Sequence, residues 1–125
     1  MTTKKIKALI VSLPGIFQRM LAKRIGFRSE FEVMGIANGG LSASTILKKH
    51  QLDLVVIGSD IPEDEVLELI KVIEQDYPDL YYLVVRNTSR EVQEMKRSGN
   101  HQSIRGLDLD ARLDDLVDDL MARVN

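Results

Sequence analysis

Apolar residues follow two alternating rhythms along this chain. Short unbroken apolar runs between turn formers predict strands buried on both faces, and apolar positions three and four apart predict helices. Ile6 to Val11 is a basic-flanked apolar strand, cut by Ser12-Leu13-Pro14-Gly15. Ile16, Phe17, Met20, Leu21 and Ile25 then mark one face of a helix, with Arg19, Lys23 and Arg24 largely off it and Gly26 at its end. Phe31 to Ala37 is a second strand, stopped by Asn38-Gly39-Gly40, which lacks the spacing of a phosphate-binding loop and reads as a turn whose glycines supply positive φ. A weaker helix from Ser42 to His50 is anchored by Ile46 and Leu47.

The central stretch is Asp53-Leu54-Val55-Val56-Ile57-Gly58-Ser59-Asp60-Ile61-Pro62. Its apolar run predicts a doubly buried strand, and Gly-Ser-Asp predicts a loop at the carboxyl end. Beyond Pro62, Val66, Leu67, Leu69, Ile70 and Ile73 have helical spacing, and Glu63, Asp64 and Glu65 lie where a helix N-terminus favours acids. Tyr77-Pro78-Asp79 ends that helix, and Leu80 to Val85 is the next strand, with Tyr81 and Tyr82 packing toward opposite faces. Thr88 caps a short helix through about Ser98, with Gly99 as its stop. His101 to Gly106 is polar, at best a short edge strand. The last helix, about Leu109 to Val124, buries Leu113, Leu116, Val117, Leu120 and Val124. Strand and helix alternate, so the expected architecture is a doubly wound parallel sheet in one domain spanning residues 1–125. Such sheets place their chemistry at the carboxyl ends of the strands.

Composition narrows the function without naming it. With 125 residues and 44% hydrophobic content, the chain suits a single domain with a substantial core. A net charge of -2 exerts no general pull on nucleic acid or anionic membrane, and the absence of cysteine excludes disulfides and thiolate metal sites. No signal peptide or membrane-length apolar run occurs, so a cytoplasmic protein is expected. His50 and His101 stand alone, without neighbouring ligands at metal spacing.

The central stretch resembles the phosphoacceptor strand of response-regulator receiver domains, which have the CheY-like, flavodoxin-like fold. Ile6 to Val11 with Pro14-Gly15-Ile16-Phe17, the run from Glu32 to Gly40, and Tyr77-Pro78-Asp79-Leu80 are similar to receivers of the NarL/FixJ type. The resemblance covers nearly the whole chain and implies strand order 2-1-3-4-5. It also implies where receiver chemistry would sit. Two acids after the first strand hold magnesium with the acceptor aspartate, and here Ser12 and Leu13 take their places. Gly58 stands at the acceptor, Arg86 at the phosphate-binding hydroxyl, Gly106 at the lysine and Ser103 at the coupled aromatic. No Asp or Glu occurs between Met1 and Arg28, so no shift of register restores the acidic pair.

The reading that follows is a degenerate pseudo-receiver: no catalytic residue, phosphoacceptor, metal or cofactor, and a regulatory role through protein partners in signal transduction or transcription control. Alternatives stay open at two points. Asp60, two residues past the acceptor position and expected to have turned into the loop, is the nearest carboxylate and a candidate displaced acceptor. Arg86 at the next strand end either pairs with Asp60 in place of a metal's charge or points to solvent. A further alternative is the N-terminal regulatory domain of a DNA-binding response regulator, although nothing within these residues resembles a base-reading helix.

By the resemblance, the interaction surface includes Arg90, Glu94, Arg97, Ile104 and Asp115. Charge adds a second candidate, because Arg19, Lys23, Arg24 and Arg28 lie on the first helix and Asp108, Asp110, Asp114, Asp115, Asp118 and Asp119 on the last helix region. These helices are expected side by side. Their charges either pair within the chain, each worth ~0.2–1 kcal/mol, or meet across a homodimer.

Overall fold

A computed structural model describes residues 5–58, 60–86, 101–105 and 109–124. The described elements run in the order β1(Ile6–Val11), α1(Ile16–Gly26), β2(Phe31–Ala37), α2(Gly40–Lys49), β3(Leu54–Gly58), α3(Glu63–Asp76), β4(Tyr81–Arg86), β5(His101–Arg105) and α4(Leu109–Val124). The strands form one parallel sheet in the order β2-β1-β3-β4-β5. The expected architecture and strand order are therefore present. The helix expected from Thr88 to Ser98 lies outside the described residues.

Alternation along each strand divides the core into two layers. Ile6, Ala8, Ile10, Leu54, Val56, Leu83 and Val85 face Leu21 and Ile25 of α1 and Leu109, Leu113, Leu116 and Leu120 of α4. Leu9, Val11, Val55, Ile57, Tyr82 and Val84 face Ala43 and Leu47 of α2 and Val66, Leu69, Ile70 and Ile73 of α3. Because strand side chains point alternately to the two faces, β3 is buried at every position, and β1 is buried at all but the exposed Lys7. The predicted split of the tyrosines also holds: Tyr82 is buried on the α2/α3 side, and Tyr81 packs against the other layer.

Local chemistry sets the helix ends. Glu63, Asp64 and Glu65 occupy the first turn of α3, and Lys23 and Arg24 the last turn of α1, both favourable to the helix dipole. The left-handed backbone expected at Asn38-Gly39-Gly40 is not found there: Gly39 is extended, with φ 176. Positive φ falls instead on Gly15, at 154, where the chain swings from the β1 end into α1. Gly39 has a packing reason, since a Cβ would lie 3.1 Å from Glu65 Oε1. No helix among the described residues is long and apolar enough to cross a membrane.

One buried hydroxyl ties the sheet to α3. Tyr82 is 1% exposed, and its hydroxyl donates to Glu74 Oε2 at 2.8 Å. Burial first, and then the Glu74 carboxylate, raise its pKa far above the ordinary 10.0. A raised folded-state pKa gives stability that is complete below the unfolded value and lost as pH climbs past it. Urea midpoints across the alkaline range should therefore fall once pH exceeds about 10, and Tyr82→Phe should remove that component of the slope. An unchanged alkaline slope in the variant would contradict this assignment.

Candidate functional site

The candidate site sits at the carboxyl ends of β1 and β3. The parallel pairing of these strands, with Val11 opposite Ile57, brings Ser12 and Leu13 beside Gly58. After Gly58 the chain turns, with the Ile61 amide donating to the Gly58 carbonyl at 3.3 Å. This turn carries Asp60 out of the strand, as expected, but returns its carboxylate over Gly58. A Cβ at position 58 would lie 2.7 Å from Asp60 Oδ1, 3.0 Å from Phe17 Cε2 and 3.2 Å from Ser12 Oγ. The absent side chain at 58 is what admits the Asp60 carboxylate.

That carboxylate is held by two donors. The buried Ser12 hydroxyl donates to Oδ2 at 2.9 Å and lies 3.2 Å from Oδ1, while the Leu13 amide donates to Oδ2 at 3.0 Å. Hydrogen bonds to an ionised acceptor are stronger than neutral ones, and three contacts on one carboxylate fix its orientation. Ser12 is then held from behind: Gln18 Nε2 donates to its carbonyl at 2.7 Å and to Asn38 Oδ1 at 3.2 Å. On the far side, the Gly40 amide donates to Glu65 Oε1 at 3.2 Å. A belt of polar contacts thus joins the β3–α3 loop, the β1–α1 loop, α1, the β2–α2 turn and α3. Gln18, Asn38 and Glu65 were not singled out as site residues from the sequence. Glu65 gave a partial signal as a first-turn acid, but its bond to α2 is a tertiary contact.

No known family model matches the sequence. The protein-glutamate methylesterase/protein-glutamine glutaminase of Pyrococcus abyssi is 30% identical over 78 residues, which is 62% of this chain and 21% of that protein. Its Pyrococcus horikoshii counterpart is 31% identical over 75 residues, 60% of this chain and 20% of that protein. The chain spans about a fifth of the length of these curated relatives. Among solved structures, the response regulatory domain of mrkE from Klebsiella pneumoniae superposes with a TM-score of 0.69 at 19% identity, covering 94% of this chain and 97% of that one. The response regulator domain of Thermotoga maritima CheB gives 0.67 at 16% identity, with 94% of both chains covered. The RcsB response regulator of Salmonella typhimurium gives 0.70 at 16% identity, covering 96% of this chain and 66% of that one. The chain has the CheY-like receiver fold.

On this receiver fold, the structure brings Ser12, Leu13, Gly58 and Asp60 together. The Arg86 side chain and Gly106 lie outside the described residues, so the pairing of Arg86 with Asp60 does too. A receiver's magnesium needs several hard oxygen ligands. Here the strand end offers one carboxylate, which already accepts from Ser12 and Leu13, beside a glycine and an apolar side chain. Among the described residues, no three or more His, Asp or Glu side chains group to hold a metal. The described residues of the site do not fit a divalent ion.

The charged candidates separate into two groups. Arg24 Nη1 bonds Asp110 Oδ2 at 2.8 Å, Arg28 Nη1 bonds Asp114 Oδ1 at 2.7 Å, and Arg28 Nη2 donates to the Asp110 carbonyl at 2.9 Å. Arg24 of α1 and Arg28, which lies in the turn past the end of α1 rather than on the helix as expected, tie this end of α1 to α4 within the chain. Arg19, Lys23, Asp115 and Asp118 are exposed. Lys23 Nζ sits 5.8 Å from the Phe27 ring centroid, and Asp115 lies 3.8 Å from Arg112 Nη1. Arg90, Glu94, Arg97 and the Ile104 side chain lie outside the described residues.

Proposed function

We propose that this receiver fold works as a pseudo-receiver, a module that regulates signal transduction or transcription by binding protein partners and performs no phosphoryl transfer. One observation carries the reading: glycine stands at the acceptor position, and the space above it is filled by a carboxylate whose oxygens are committed to Ser12 and Leu13. Aspartyl phosphorylation needs an accessible carboxylate, charge neutralisation by a metal and donors free to receive the phosphoryl oxygens. The described strand end offers one partly buried carboxylate already holding two donors, and no group of acids to hold a metal. The output is then constitutive or set by a partner.

Incubation with acetyl phosphate and magnesium, followed by intact-mass measurement, tests this reading. The expected result is an unchanged mass for the wild-type chain. A phosphoryl adduct that disappears in Asp60→Asn would instead establish Asp60 as a displaced acceptor and defeat the proposal.

A second reading, a regulatory domain joined to an output domain, is supported by the share of each relative that the chain spans: a fifth of the methylesterases and 66% of RcsB, whose structure is described for its DNA interaction. An immunoblot of the native gene product would separate the two. A species much larger than this chain favours the joined form, and one of matching size favours a free-standing module.

A further inference from the structure

We propose that Asp60 is an internal anionic ligand: the Ser12 hydroxyl and the Leu13 amide form a carboxylate-binding site that the chain fills from its own β3–α3 loop, and this contact latches the β1–α1 loop in place. The inference deepens the pseudo-receiver reading and rests on it for its regulatory meaning, since a committed Asp60 does what an exchangeable ligand would otherwise do.

Three observations lead to it. First, both donors converge on one oxygen, with Ser12 Oγ at 2.9 Å and Leu13 N at 3.0 Å from Asp60 Oδ2, the arrangement of a small oxyanion site. Second, the space is made for the carboxylate, because a Cβ at Gly58 would come within 2.7 Å of its other oxygen. Third, the donor side is braced independently of Asp60: Ser12 is 0% exposed, its amide donates to the Ala37 carbonyl at 2.9 Å, and its carbonyl accepts from Gln18. The Ser12 end is therefore held in place by contacts that do not involve Asp60. Leu13 has the weaker hold. It is 40% exposed and is followed by the turn into α1, where Ile16 is 79% exposed. Releasing Asp60 frees the segment that carries these two apolar side chains, while the sheet beneath stays intact.

The test uses the full chain, hydrogen exchange at the Leu13 amide, and sodium acetate as a free carboxylate. In Asp60→Ala, Leu13 protection is expected to fall about tenfold or more, the consequence of losing one charge-assisted hydrogen bond. Acetate should restore protection along a saturable curve, chloride at equal ionic strength should not, and Ser12→Ala combined with Asp60→Ala should abolish the acetate response. Wild type should show no saturable response, because its site is already filled. Asp60→Gly, which empties the same space, provides the same readout if the alanine variant fails to fold. Unchanged Leu13 protection in both variants, or an acetate effect equal to that of chloride, would overturn the proposal. No phosphodonor is present, so this failure is distinct from phosphorylation of Asp60, which the mass measurement detects by itself.

Discussion

Gly58→Asp, which restores a carboxylate at the acceptor position, is expected to destabilise the fold by about 3–5 kcal/mol and to leave the chain unphosphorylated. The new Cβ alone would lie 2.7 Å from Asp60 Oδ1 and 3.0 Å from the Phe17 ring. β3 cannot yield, because it is hydrogen-bonded between β1 and β4 and buried along its whole length. Asp60 must therefore leave Ser12 and Leu13, and among the described residues no group of acids stands ready to hold a metal beside the incoming carboxylate. Two like charges at one strand end add to the cost.

Two companion variants divide that effect. Gly58→Ala adds volume without charge and should cost about 1–3 kcal/mol, most of it the displacement of Asp60 from its donors. In the background of Asp60→Gly, the same alanine should cost clearly less, since the atom it strikes is gone. Urea denaturation of the four chains gives the coupling directly. Strict additivity would show that residues 58 and 60 do not share one space. A stable, phosphorylatable Gly58→Asp chain would show that the pocket had retained a receiver's chemistry.

The sheet was legible in the sequence because a parallel sheet covered on both faces demands a nearly continuous apolar signal, and Ala8–Val11, Leu54–Ile57 and Leu80–Val85 supply it. His101–Arg105 lacked that signal, yet it pairs with β4 at the sheet's edge, where only one neighbour must be satisfied. The meeting of Ser12 and Gly58 at neighbouring strand ends was also legible, because each follows directly on an apolar run of adjacent parallel strands. The return of Asp60 onto Gly58 was not. It joins residues 48 apart through the conformation of a short turn, and neither helical nor strand periodicity encodes such a contact. The same holds for Gln18, whose amide bridges Ser12 and Asn38, the latter 20 residues away. Gly39 shows the converse limit: its glycine was visible, but the reason for it is a carboxylate on another helix rather than backbone handedness.

Leu113→Ala is the second large effect, expected at about 2–5 kcal/mol, against less than about 1 kcal/mol for Arg28→Ala, whose partner Asp114 is the next residue along α4. Leu113 is 0% exposed and packs in the layer formed by Leu21 and Ile25 of α1, Leu109, Leu116 and Leu120 of α4, and the facing strand residues. Deleting its side chain removes transfer free energy and leaves a cavity that the rigid sheet cannot close. Arg28 makes shorter and more conspicuous contacts, but Asp114 opposite it is 69% exposed, so water replaces most of what the ion pair provides. The apolar stripe holds α4 to α1, and the charges flank it. This ranking bears on the homodimer proposed for the charged surface. Arg24 and Arg28 are engaged within the chain, so an association between copies would have to use Arg19 and Lys23 against Asp115 and Asp118. Sedimentation should then show a mass that falls as salt rises, and Lys23→Glu should abolish the association while leaving the urea midpoint within about 0.5 kcal/mol of wild type. A monomer at every ionic strength would restrict the seam's charges to their role inside the fold.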